Sequence, residues 1–215
     1  MKYPTKQAAA QQIVEFGKRL YEKNMVAAND GNLSVKIGEN AVLVTPSGVS
    51  KGFLQAETLA VVDMDNNLLE GALPPSSETA MHLMVYKTNP KAGAAVHAHP
   101  VFGTAFAAAE IPLDKPILTE SIIGIGQIPV APFATPGTAE VPQSIAPFAE
   151  KYNGVLLAKH GVLAWGKNAE QAYFRLEAIE HTAKIRAVCQ FLLQSDAELS
   201  AEQLAKLAPF IGRFD

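Results

Sequence analysis

The sequence predicts an α/β fold of three layers, in which a mostly antiparallel central sheet lies between helices. Three observations lead there. Apolar residues recur at helical spacing in some segments and alternate in others, so helices and short strands succeed one another along the chain. Neighbouring strands are joined by hairpin-sized turns, which suit antiparallel partners, whereas parallel partners need long crossovers. No G-x-G-x-x-G follows a strand and no P-loop occurs, which removes the commonest doubly wound nucleotide-binding arrangements.

The elements follow in order. Ala9, Ile13, Phe16, Leu20 and Tyr21 recur at helical spacing from about Thr5 to Asn24, with Thr5 as N-cap. After Asn29-Asp30-Gly31-Asn32, the residues Leu33, Val35 and Ile37 alternate with Ser34 and Lys36, and Gly38-Glu39-Asn40 turns this strand into Ala41–Thr45. A polar loop, Pro46 to Gly52, leads to a third strand over Thr58–Met64 that turns at Asp65-Asn66-Asn67 into Leu68-Leu69-Glu70. Pro74-Pro75-Ser76-Ser77 precedes a helix over Glu78–Lys87, stopped by Asn89-Pro90. The strand ending in His97-Ala98-His99-Pro100 comes next, then a small-residue helix over Val101–Ala109. Ile117–Ile125 is apolar enough for a strand or a buried helix; Ile128–Pro132 reads as a strand and Val141–Tyr152 as a helix. Two apolar runs, Val155–Ala158 and Val162–Trp165, flank Lys159-His160-Gly161, and a long helix is expected from Asn168 to about Ser195. Ala201–Ile211 is either a last helix or a mobile tail.

The 215 residues suit one domain, read as 1–215 with a core over about 8–195 and a tail over 196–215. A net charge of −3 gives no electrostatic case for nucleic acid or an anionic membrane, so the expected partner is a small molecule. Cys189 has no second cysteine to pair with and reads as a core or interface filler. The polar N-terminus and the absence of an 18-residue apolar run give a cytoplasmic expectation.

The chemistry gathers around residues 93–100. Alternation along a strand sends the side chains of His97 and His99 to one face, where they are either half of a metal site or two polar residues at a strand end. His160, in a similar strand-edge setting, is either a third nitrogen or a structural histidine. His82 lies one helical turn after Glu78, and the pair either contributes metal ligands or, the preferred reading, is structural; His181 reads as structural or interfacial. Glu78 is either a first-turn acid favoured by the helix dipole or a general acid/base beside a metal. Gly31-Asn32, Ser47-Gly48 and Ser76-Ser77 are each ordinary turn or cap residues, and together a set of N–H and hydroxyl donors suited to phosphate.

Taken together, G-N-L-S at 31–34, T-P-S-G at 45–48, P-S-S-E at 75–78, H-A-H-P at 97–100 and K-H-G at 159–161 resemble, over roughly residues 8–190, the zinc-dependent class II aldolase/adducin head family. That family includes L-fuculose-1-phosphate aldolase, the nearest pattern, and L-ribulose-5-phosphate 4-epimerase. The resemblance implies an α/β/α fold, a homotetramer with active sites between subunits, and one Zn2+ per subunit held by His97, His99 and His160. Glu78 would be the acid/base and a fourth ligand in the resting state, and Gly31, Asn32, Ser47, Gly48, Ser76 and Ser77 would bind the phosphate of a sugar-phosphate substrate. The implied reaction is reversible cleavage of a ketose phosphate to dihydroxyacetone phosphate and a small aldehyde such as lactaldehyde, with zinc as the electron sink.

Glu78 stands where the 4-epimerase pattern has Asp, and the serine pair departs from methylthioribulose-1-phosphate dehydratases. Both activities remain alternatives, as does a non-catalytic adducin-like scaffold. One departure concerns the aldehyde side: Ile117-Leu118-Thr119-Glu120-Ser121 lacks the tyrosine that fuculose-phosphate aldolases carry there.

Overall fold

The computed structural model describes residues 3–195 and 197–211, so Asp196 and Gly212 to Asp215, part of the expected tail, lie outside the described residues. The strands are β1 (Asn32–Gly38), β2 (Ala41–Val44), β3 (Ala60–Val62), β4 (Leu68–Glu70), β5 (Ala94–Ala98), β6 (Val130–Ala131), β7 (Gly154–Leu157) and β8 (Gly161–Gly166). They form one sheet in the order β4-β3-β2-β1-β5-β8-β7-β6. Every neighbouring pair is antiparallel except β6 with β7.

Alternation along the strands feeds two apolar cores. Leu33, Val35, Leu43, Val61, Val96 and Val162 pack on one face with α1 (Lys6–Glu22), α3 (Val101–Ala109) and α6 (Ala169–Ala187). Val42, Val44, Val62, Ala95, Leu163 and Trp165 pack on the other with α2 (Thr79–Thr88) and α5 (Glu140–Ala149). The three-layer expectation holds because β2, β3, β5, β7 and β8 each place apolar residues in both cores, whereas the edge strand β4 is exposed. The period-2 pattern therefore reads as a choice between two cores rather than between core and solvent.

Local chemistry sets the element ends. Thr5 Oγ1 accepts from the Ala8 N–H and opens α1. The third strand is shorter than expected: Ala56–Thr58 winds into a 3-10 turn, and Asp63 Oδ1 accepts from the N–H groups of Asp65 and Asn67, closing the turn early. The strand expected over Ile128–Pro132 is reduced to two residues. The segment left open between strand and helix is a short helix, α4 (Thr119–Gly124), with Ser121 Oγ donating to the Leu118 carbonyl. Asn168 Oδ1 accepts from the Gln171 N–H to start α6, which ends at Ala187; over 188–192 the backbone widens, with Leu193 N–H donating to the Val188 carbonyl at 2.9 Å. The last helix, α7 (Ala201–Leu207), opens with a Ser200/Gln203 capping box. It follows Leu199, whose N–H donates to the Pro116 carbonyl at 2.8 Å, so this part of the tail orders against the α4 region of its own chain.

Two glycines bring the 47–54 loop against α1. A Cβ at Gly17 would lie 2.8 Å from the Lys51 carbonyl oxygen and 2.8 Å from Leu54 Cδ1, and one at Gly52 would lie 2.5 Å from the Tyr21 ring. Alanine at position 17 gains about 1 kcal/mol of helix propensity. It also collides with a backbone oxygen that cannot rotate away, and overpacking of this kind costs about 1–3 kcal/mol. Gly17→Ala is therefore expected to lower the thermal midpoint by a few degrees, about 2–4 °C per kcal/mol for a chain this size. A midpoint that is unchanged or raised in a calorimetric scan contradicts the close approach.

Candidate metal centre and anion pocket

The sheet register brings the histidines together. Asn32 of β1 pairs with His97 of β5, and His97 pairs with Leu163 of β8. His99 follows one step beyond the end of β5, its N–H donating to the Met25 carbonyl. His160 sits in the turn from β7 to β8, where Lys159 adopts a left-handed conformation at φ 60° and is tied to α3 through its N–H on the Ala107 carbonyl. Gly161 lets the two turns meet: a Cβ there would fall 2.5 Å from His99 Cδ2 and 2.7 Å from the Ala98 carbonyl. The three ring centroids end up 4.8 to 5.0 Å apart.

The hydrogen bonds define which nitrogens face inward. His97 Nδ1 lies 2.9 Å from the Val162 carbonyl, which can only accept, so Nδ1 carries the proton and Nε2 is bare. His99 Nδ1 lies 3.3 Å from Asp30 Oδ2, and its Nε2 is 3.1 Å from His97 Nε2. His160 Nε2 lies 3.2 Å from Glu78 Oε1, while Glu78 Oε2 is 3.4 Å from His97 Nε2 and accepts from Asn32 Nδ2 at 2.8 Å. Ligand atoms of His97, His99 and His160 all lie within 4.8 Å of one another.

Burial, reinforced by the neighbouring His99 and His160 and opposed by the Val162 carbonyl, holds His97 well below the usual histidine range. Burial also lowers His160, against the pull of Glu78. Three imidazoles whose nitrogens lie this close together beside a carboxylate are a donor set that suits a divalent cation, with the Val162 carbonyl orienting His97 and the Asp30 carboxylate orienting His99 from behind. Three protein nitrogens leave a position open for substrate.

Glu78 immediately precedes α2 and makes no side-chain cap, so the first-turn-acid reading does not describe it; its carboxylate turns into the site. The loops beside it are stitched together: the Ser76 N–H donates to the Thr45 carbonyl and the Ser47 N–H to the Pro74 carbonyl. All six residues expected at a phosphate, Gly31, Asn32, Ser47, Gly48, Ser76 and Ser77, line one cavity of about 270 Å³ together with Glu78, His99 and His160. Gly31 has φ 76°, and a Cβ there would meet the His97 carbonyl at 2.8 Å, so the loop reaches the strand end only as glycine.

Two residues of the site escaped the sequence reading. Asp30 orients His99 from behind, and Lys51 lines the cavity from the loop beyond Gly48. Asp30 sits in an Asn-Asp-Gly turn, where aspartate has an ordinary local role. Lys51 resembles any solvated loop lysine, yet it is only 2% exposed.

The other two histidines stand apart from this cluster. His82 Nδ1 bonds Ser34 Oγ at 2.7 Å, Ser34 Oγ bonds the Tyr86 hydroxyl at 2.6 Å, and burial lowers His82 to about 3. It is a neutral core histidine. His181 is exposed on α6. The segment 117–121 does not line the cavity of its own chain.

Comparison with known proteins identifies the family. Residues 11–187 match the model of the family described as Class II Aldolase and Adducin N-terminal domain. The chain is 36% identical over 178 residues to a 3-oxo-tetronate 4-phosphate decarboxylase of Haemophilus influenzae, covering 80% of this chain and 84% of the relative. It is 32% identical over 169 residues to an L-fuculose phosphate aldolase of Methanococcus maripaludis, covering 79% and 90%. The crystal structure of YgbL from Klebsiella pneumoniae superposes with a TM-score of 0.88 at 30% identity, over 95% of this chain and 99% of that one. The chain belongs to the class II aldolase and adducin N-terminal domain family.

Proposed function

We propose that the protein is a zinc-dependent lyase that breaks a carbon–carbon bond near a ketone in a small sugar-derived phosphate and releases dihydroxyacetone phosphate. The observation that carries this reading is the meeting, at one cavity, of a histidine triad, the Glu78 carboxylate and three loops rich in hydroxyl and amide groups. His97, His99 and His160 would hold the ion, with Glu78 as a further ligand. Bound there, zinc supplies Lewis acidity for the charge that develops on the substrate's carbonyl oxygen.

Two bonds fit the same machinery. In a 3-oxo-tetronate 4-phosphate, loss of CO2 leaves the C1–C2 electron pair on C2, conjugated with the C3 ketone. In an L-fuculose 1-phosphate, a base removes the C4 hydroxyl proton, the aldehyde departs, and the C3–C4 pair stays on C3, conjugated with the C2 ketone. The remaining three carbons are in both cases the enediolate of dihydroxyacetone phosphate, and one proton delivered to carbon completes the product. Glu78 is the group placed to deliver it. Gly31, Asn32, Ser47, Gly48, Ser76 and Ser77 hold the phosphate that both substrates share and convert its binding into positioning of the reacting carbons.

Decarboxylation is the first reading. It is favoured by the 36% identical relative and by the 117–121 segment, which offers no tyrosine for the aldehyde side. Aldol cleavage, releasing an aldehyde such as lactaldehyde, is the second, favoured by the 32% identical aldolase. Exposed Phe191, Leu192 and Leu193 beyond α6 support assembly into the homotetramer that the family resemblance implies.

Metal-loaded protein supplied with each substrate is expected to release dihydroxyacetone phosphate, with CO2 from the first and lactaldehyde from the second identifying the bond broken. Chelator treatment or His97→Ala is expected to abolish release; product formation that survives both rules out a metal-dependent lyase. No turnover of either substrate, with no stoichiometric metal, returns the chain to a scaffold role. Glu78→Gln is expected to keep its metal and lose about 10²–10⁴-fold in kcat, the usual worth of a positioned acid/base. A variant with near-normal kcat excludes Glu78 as the proton donor.

A further inference from the structure

Lys51 lies in the same cavity but belongs to none of the motifs through which the family was recognised. Its ammonium donates to the Asn29 carbonyl at 2.7 Å and the Val49 carbonyl at 2.6 Å, so it spans the two loops that carry Gly31-Asn32 and Ser47-Gly48. An ammonium has three N–H donors, and these are two of them. Among the described residues lining the cavity, Lys51 is the sole lysine or arginine, whereas Asp30 and Glu78 are both carboxylates. An arriving phosphate thus meets two negative side chains and one positive one.

Burial lowers the Lys51 ammonium to about 8, and the carboxylates of Asp30 and Glu78 oppose that shift. Such a desolvated cation is poorly compensated by two neutral carbonyls and gains most from an anion placed against it. The loop geometry explains how a lysine stays buried there: the close approach of α1 at Gly17 covers its backbone.

We propose that Lys51 is the phosphate-reading cation of the site, clamping the two anion-binding loops to each other and giving its third N–H to the substrate's phosphate. This rests on the reading of the cavity as a sugar-phosphate site and adds the residue that selects the phosphorylated end. The phosphate is the better occupant on chemical grounds, because a cation held on the departing carboxylate would stabilise the ground state and slow CO2 loss.

The test is calorimetric titration of the full-length, metal-loaded protein with inorganic phosphate and, separately, with acetate as a carboxylate probe. Lys51→Met is expected to weaken phosphate binding by about tenfold or more, as expected on losing a charge-assisted hydrogen bond, while bound metal is retained and unfolding stays cooperative at a midpoint lowered by loss of the two loop-clamping hydrogen bonds. Lys51→Arg is expected to keep affinity within about threefold, since it retains the charge. Phosphate affinity unchanged in Lys51→Met, or acetate binding lost while phosphate binding persists, overturns the assignment. Loss of metal or of cooperative unfolding in both variants assigns Lys51 to loop clamping alone and overturns it as well. The titration needs no turnover, so it is separable from the lyase reading. Phosphate binding that depends on Lys51 without product release keeps this assignment and removes the lyase. Product release with phosphate binding indifferent to Lys51 does the reverse.

Discussion

The site depends on the antiparallel register of three neighbouring strands. β1, β5 and β8 are held side by side by backbone hydrogen bonds, and that alignment sets Asn32 against His97 and His97 against Leu163. A one-residue slip of β5 would turn His97 toward the α1/α3/α6 core and Val96 or Ala98 toward Glu78. Such a slip is costly because β5 is buried along its whole length, with Ala94, Val96 and Ala98 in one core and Ala95 in the other. The candidate metal centre thus draws its precision from the apolar packing behind it, and the loops at its rim have only to close over a frame already set.

A second constraint is the charge of the cavity. Glu78, Asp30 and the imidazoles make a region rich in lone pairs, which favours a cation and disfavours an anionic substrate. The proposed function needs both. On the proposed reading, the hydroxyls of Ser47, Ser76 and Ser77 would offset part of the repulsion, and Lys51 more because it is desolvated and lines the same cavity. The two halves of the cavity are therefore electrostatically distinct, with donors for the metal at the strand ends and cationic or N–H groups at the loops. Under the proposed function, that separation would give the substrate an orientation.

Much of this was legible in the sequence because its signals are short-range. Alternation at 33–37, the Thr5 cap and the Asn89-Pro90 stop each act within a few residues, and the elements appear where those signals lie. The paired histidines were readable from strand alternation, but the reach of His160 to them was not, since it depends on β8 lying beside β5 sixty residues away in the chain. Family resemblance supplied that link before the register explained it. Lys51 and Asp30 went unread for the same reason: a lysine after a polar loop and an aspartate before a glycine have ordinary local roles, and only the fold buries one and points the other at His99. The 117–125 segment was ambiguous because a short apolar run has no decisive period.

The central claim is that His97, His99 and His160 present their Nε2 atoms to one divalent ion with Glu78 beside it. Anomalous diffraction from crystals of the zinc-loaded protein, recorded on both sides of the zinc edge, tests this most directly. A single strong peak per chain is expected at about 2.0–2.1 Å from all three Nε2 atoms. A peak bound elsewhere, or one that fails to contact His160, would contradict it.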